Sequence, residues 1–114
     1  MNVTISKLSD VTIPQSSTTS SVVDSKNQSY DAEAILIESP AALDAGTYRI
    51  EVGDTLDGVN ATFRTLQDES GTDYVVPAAG KAIVYSLPCW PCWRISGPSA
   101  GSARIFKVFK ITRS

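Results

Sequence analysis

The chain predicts an all-β fold, an antiparallel β-sandwich of jelly-roll type with an extended N-terminal arm. Three observations carry that expectation. From Gly46 onward, short segments alternate apolar and polar residues with a period of two, the pattern of a strand with one face on a core and one on solvent. Clusters of Gly, Pro, Asp and Ser separate these segments, and such residues supply the positive or fixed φ that tight turns need. A length of 114 residues, 42% of them apolar, allows one core and no more.

Residues 1–30 are expected to form the arm. They include the run Ser16 to Ser21, all Ser or Thr, and so little apolar mass that burial alone cannot offset the entropy of ordering them. Within this stretch Val3/Ile5, Val11/Ile13 and Val22/Val23 look like small strand fragments. Two placements fit: the arm lies across a neighbouring subunit, with Val3 and Ile5 as contacts, or its strands join the domain's own sheet.

Residues 31–114 are expected to form a single sandwich domain, with strands over 32–38, 47–52, 61–66, 73–76, 81–86, 93–96 and 104–112. The separators are Ser39-Pro40, Asp44-Ala45-Gly46, Gly53-Asp54, Asp57-Gly58, Ser70-Gly71, Pro77 to Gly80 and Gly97 to Gly101. One helical turn is expected at Pro40-Ala41-Ala42-Leu43. On the strand over 47–52, Tyr48, Ile50 and Val52 should face the core and Thr47, Arg49 and Glu51 solvent. The last strand is apolar on both parities, with Ile105, Phe109 and Ile111 on one and Phe106 and Val108 on the other. That suits a strand covered on both sides, by its own core and by something else.

Charge is unevenly distributed. Residues 1–73 hold Lys7, Lys26, Arg49 and Arg64 against all 12 acids, a net of −8, whereas residues 74–114 hold six basic residues and no acid, a net of +6. The asymmetry reads either as a basic docking face or as basic C-terminal strands pairing with acidic earlier ones in the same sheet. The opening Met1-Asn2-Val3-Thr4 lacks the basic start and apolar stretch of a secretory leader, and no apolar run approaches a membrane span, so an intracellular product is expected. The sequons at Asn2, Asn27 and Asn60 are then chance occurrences in a Ser/Thr-rich chain.

Catalytic equipment is sparse. The chain has no histidine, the commonest general base and metal ligand. Pro88-Cys89-Trp90-Pro91-Cys92-Trp93 contains a C-x-x-C spacing, but the residues after it read as a strand and not as the helix whose N-terminus would activate a thiol. A zinc site would need two further ligands. Cys89 and Cys92 are therefore expected to be buried thiols beside two packing tryptophans. Trp90 and Trp93 belong either to a core or subunit interface, or, with Tyr74 or Tyr85, to a sugar-stacking platform. Asp54, Asp57, Asp68 and Glu69 lie near glycine turns but lack EF-hand spacing, so they are expected to be solvated turn acids and not a calcium site. Gly97-Pro98-Ser99-Ala100-Gly101 has the spacing G-x-S-x-G but reads as a flexible turn and not as a nucleophile elbow, since the chain has no histidine to serve the serine, and it lacks the Lys and following helix of a phosphate cradle. The expectation is a protein that is not an enzyme and carries no cofactor or metal.

The order Ala45 to Val52, Asp57-Gly58, Thr62 to Leu66, Gly71-Thr72-Asp73, Val75 to Ala82, Arg94-Ile95 and Ala103 to Val108 resembles small β-sandwich virion proteins of tailed bacteriophages, of the cement or decoration type. The resemblance spans residues 32–112; the Pro88 to Trp93 segment is not part of it. It implies a mechanical role on the capsid exterior, bracing the joins between capsomers after assembly in the host cytoplasm. The implied partners are the major capsid protein of the same virus and further copies of the chain, as a trimer or dimer, with no direct contact to nucleic acid or membrane. The interface residues expected are Trp90, Trp93, Phe106 and Val108, with Val3 and Ile5 from the arm. Tail and neck proteins of the same kind of virion are an alternative, and so is a carbohydrate-binding module built on the Trp pair.

Overall fold

Period-two alternation makes each strand two-faced, so the chain must bury the apolar faces of its strands against one another, and it does so as two packed antiparallel sheets. The computed structural model describes residues 3–29, 31–86 and 90–113. Its strands are β1 (Val3–Lys7), β2 (Val11–Ile13), β3 (Val23–Asp24), β4 (Ala34–Glu38), β5 (Arg49–Gly53), β6 (Phe63–Thr65), β7 (Ala82–Tyr85), β8 (Cys92–Ser96) and β9 (Arg104–Arg113). Among the described residues no helix is long and apolar enough to cross a membrane, which says nothing of strands.

The first sheet runs β1-β9-β4-β7, with β2 following β1 along the same side of β9. The second runs β3-β8-β5-β6. Between them lies one apolar core. The first sheet contributes Val11, Ile13, Ile35, Ile37, Tyr85, Phe106 and Val108; the second contributes Val23, Ile50, Trp93 and Ile95, with Tyr48 just ahead of β5. Tyr48 meets Phe106 across the gap, ring centroids 6.0 Å apart. As expected from the alternation, Tyr48 and Ile50 are buried and Val52 packs against the core, while Thr47 is exposed.

Of the two placements open to residues 1–30, the described part takes the second, in which its strands join the domain's own sheets. Over their described part these residues pair within their own chain: β1 and β2 with β9, Thr19 with Ser96, and β3 with β8. Val11, Ile13 and Val23 are at most 2% exposed. The Ser/Thr run does not need to support itself, because its backbone bonds to strands already anchored in the core: Ser20 N–H donates to Ile95 O (2.9 Å), and Ser20 Oγ accepts from Ile95 N–H (2.8 Å).

Two smaller expectations change. Pro40 to Leu43 forms no helical turn, since its carbonyls are taken from outside: Pro40 O accepts from Gly80 N–H and Ala42 O from Arg104 Nη1. The described helical turn is instead a π-type turn at Ser25–Ser29. The expected strand over 73–76 reduces to ladder fragments on β5, because β6 already occupies part of that edge; Tyr74 O accepts from Ile50 N–H and Val76 N–H donates to Tyr48 O.

Candidate functional site

The charge asymmetry resolves inside the fold. Arg94 pairs with Glu51 (2.7 Å), Arg104 with Asp44 (3.0 Å), Lys110 with Asp31 (2.7 Å) and Arg113 with Glu33 (3.3 Å), so each pair joins the basic C-terminal half to the acidic N-terminal half. These pairs account for much of the C-terminal positive charge, which disfavours a basic docking face.

The outer face of the second sheet is polar and partly covered. Glu51 and Arg94 face each other across β5 and β8, the Arg94 guanidinium lies 4.0 Å from the Phe63 ring centroid, and Arg49 pairs with Asp73 (2.6 Å). Beside them Cys92 sits fully buried against Gly53, where a Cβ would run into its Sγ and into Ala61. Among the described residues Cys92 forms no disulfide; Cys89 lies outside them, so the C-x-x-C spacing is described at one end only.

The outer face of the first sheet is apolar. Strand pairing sets Ile5, Ile111 and Ala34 in one row and Lys7, Phe109, Leu36 and Val84 in the next. Val3, Ile5 and Val84 are 56%, 59% and 56% exposed, and Ile105, further along β9, is 46% exposed. The first row spans β1, β9 and β4, and the second crosses the whole width of the sheet to β7. Such contiguous exposed apolar surface is characteristic of an interaction site. Its charges include Glu38 and Lys107, which face each other, Arg113, opposite Val3 and paired with Glu33, and Lys7, which lies over Phe109 at 5.8 Å while its ammonium reaches Asp10.

The expected interface residues divide accordingly. Val3 and Ile5 are on this open face. Trp93, Phe106 and Val108 are 0–1% exposed and Trp90 is 7% exposed, so in the folded chain they have almost no surface to offer a partner. The aromatics instead pack on one another, Trp90 edge-on to Trp93 at 5.9 Å and to Tyr74 at 6.2 Å. Their burial leaves little ring surface on which a sugar could stack. What the sequence did show is that β9 has two apolar parities; the core took Phe106 and Val108 and left Ile105, Phe109 and Ile111 outside.

A shallow groove of about 470 Å³ lies between residues 43–48 and 75–79. Its acid, Asp44, is engaged: it accepts from Arg104 Nε and Nη2, from Gly101 N–H and from Tyr48 Oη. The turn acids act as turn builders. Asp54, Asp57 and Asp68 each accept backbone N–H bonds through Oδ1, and among the described residues no three acids or thiols converge as a metal site would require.

Comparison with family models, curated proteins and solved structures yields no match to this chain.

Proposed function

We propose that the protein is a structural virion component of the cement or decoration type, which docks the outer face of its first sheet on the exterior of a phage capsid and braces capsomer contacts. The observation that carries this reading is the open apolar face spanning β1, β9, β4 and β7, with Val3, Ile5, Val84 and Ile105 about half exposed. A sheet whose other side already holds the core gains nothing from a second apolar face unless that face is covered. Strand order lends further support. From β2 onward, β2, β4, β7 and β9 form one sheet and β3, β5, β6 and β8 the other, which we read as an eight-stranded jelly roll, an architecture used by viral capsid and lectin domains. Fold alone does not select among those uses. The burial of Trp90 and Trp93 argues against the sugar-binding use.

The test is sedimentation of particles produced from the genome that encodes the chain. Wild-type protein should travel with the filled or empty shells, while Val84→Lys and Ile105→Glu, folded by circular dichroism, should stay at the top of the gradient. Wild-type protein that never sediments with shells sinks the reading. Co-migration with isolated tails would place it in the tail or neck instead.

A further inference from the structure

Among the described residues the first sheet has an open edge at β1. Leu8 N–H donates to Val108 O at 2.8 Å, and pairs of this kind alternate along an antiparallel ladder with residues whose backbone groups turn away from the partner strand. Carrying that alternation back through the register Lys7↔Phe109 to Val3↔Arg113, Ser6 and Thr4 bond to β9, while Val3, Ile5 and Lys7 point their N–H and C=O groups outward. Among the described residues no strand lies on that side of β1, and Val3, Thr4 and Ile5 are all exposed.

Proteins normally blunt such an edge with proline, a bulge, a covering loop or an inward charge. β1 has a continuous register, no proline and one charge, Lys7, which is drawn to Asp10 and the Phe109 ring. The opposite edge, β7, is shorter and runs toward residues 87–89, which lie outside the described residues.

We propose that β1 pairs with the β1 of a second copy of this chain, antiparallel about a two-fold axis at Ile5, joining two sandwiches into one continuous sheet. The segment Val3-Thr4-Ile5-Ser6-Lys7 is complementary to itself in that register. Ile5 meets Ile5 of the second copy with its outward N–H and C=O in hydrogen-bonding position. Val3 lies opposite the aliphatic stem of Lys7, and the Thr4 and Ser6 hydroxyls face each other on the other side of the ribbon. The two lysines sit at opposite ends of the pairing, so no like charges are opposed. The contact is isologous and therefore closes as a dimer without propagating into a filament. It also merges the Val3 and Ile5 strips of two subunits on the apolar face, so that a surface bound by one is bound by both. The pairing rests on the edge of β1 alone and stands whatever the apolar face docks against.

Sedimentation of the full chain over a wide concentration range tests it. Wild type should show a concentration-dependent dimer. Ile5→Lys and Ile5→Glu should each lose it, because like charges then face each other across the axis, and an equimolar mixture of the two should regain it. Ile5→Cys checks the register: facing residues in a hydrogen-bonded pair lie ~5.5 Å apart at Cα, within disulfide range, so mild oxidation should cross-link it. Lys7→Cys, facing Val3, should not cross-link. A wild type that stays monomeric, single variants that remain dimeric, a mixture that fails to re-associate, or equal cross-linking at both positions would each overturn the proposal. A monomer that still sediments with shells would remove the dimer and leave the shell reading intact; a dimer that binds no shell would do the reverse.

Discussion

At the scale of single residues, Asp44 shows how one side chain holds two distant loops. Its carboxylate accepts from Arg104 Nε at 3.1 Å and Nη2 at 3.0 Å and from the Gly101 N–H, while Tyr48 Oη accepts the Asp44 N–H at 3.0 Å. The turn after β8 is thereby fastened to the segment before β5. Gly97 belongs to the same corner, packed flat against the Tyr48 ring where any Cβ would collide. The Arg104 guanidinium, aided by the Gly101 and Tyr48 bonds, holds the Asp44 carboxyl below its ordinary value. Asp73 is lowered by Gln67 and Arg49, and Asp31 by Lys110. A carboxyl whose folded value is depressed contributes stability above its unfolded value and loses it as pH falls through the folded one. Stability should therefore decline as pH drops below about 4, where unfolded aspartates begin to protonate. In urea titrations across that range, Asp44→Asn should be less stable than wild type near neutrality and show a shallower acid decline. An acid limb of unchanged slope would exclude Asp44 as a contributor.

At the scale of elements, the N-terminal segment matters most. β1, β2 and β3 are short and weak as isolated strands, yet each lies on β9 or β8. Their hydrogen-bonding partners are already fixed by the core, so a few apolar side chains suffice to hold them. Val11, Ile13 and Val23 supply those side chains. Deleting residues 1–24 should thus remove core residues and strip strand partners from β8 and β9. The expected result is a chain that aggregates or lacks a cooperative thermal transition, since losing one such side chain typically costs ~1–3 kcal/mol and here several go together. A truncated chain with wild-type cooperativity would show that the segment is dispensable. Most strands after residue 30 were legible in the sequence to within two residues, because alternation and turn residues are local signals. The segment 73–76 was legible as extended chain, but its reduction to bridges was not, since that depends on β6 taking the same edge of β5.

At the scale of the molecule, two opposed faces separate stability from binding. Trp93 is 1% exposed and packs beside Trp90 in the centre of the sandwich, whereas Val84 is 56% exposed on the apolar outer face. Trp93→Ala should cost ~3–5 kcal/mol, a large share of the ~5–15 kcal/mol that stabilises a domain of this size, and should lower the thermal midpoint strongly. Val84→Lys should move that midpoint little and act on docking instead. Thermal melts of the two variants check the division; similar midpoints would mean that the outer face is part of the stabilising core.

The sequence by itself determined that the chain would be strands joined by tight turns, that Tyr48 and Ile50 would point inward, and that β9 would have two apolar faces. Those properties follow from backbone geometry with a period of two and from residues that tolerate turn conformations, both readable over a few neighbouring positions. Only the tertiary structure decided which face of β9 the core would take, because two apolar parities on one strand are equivalent until other strands pack against one of them. The same holds for Trp90 and Trp93, whose size suits a core and a binding platform equally until Tyr74 and Tyr85 close around them. It holds too for the first thirty residues, whose polarity reads as an arm until strands far along the chain offer them an edge to pair with.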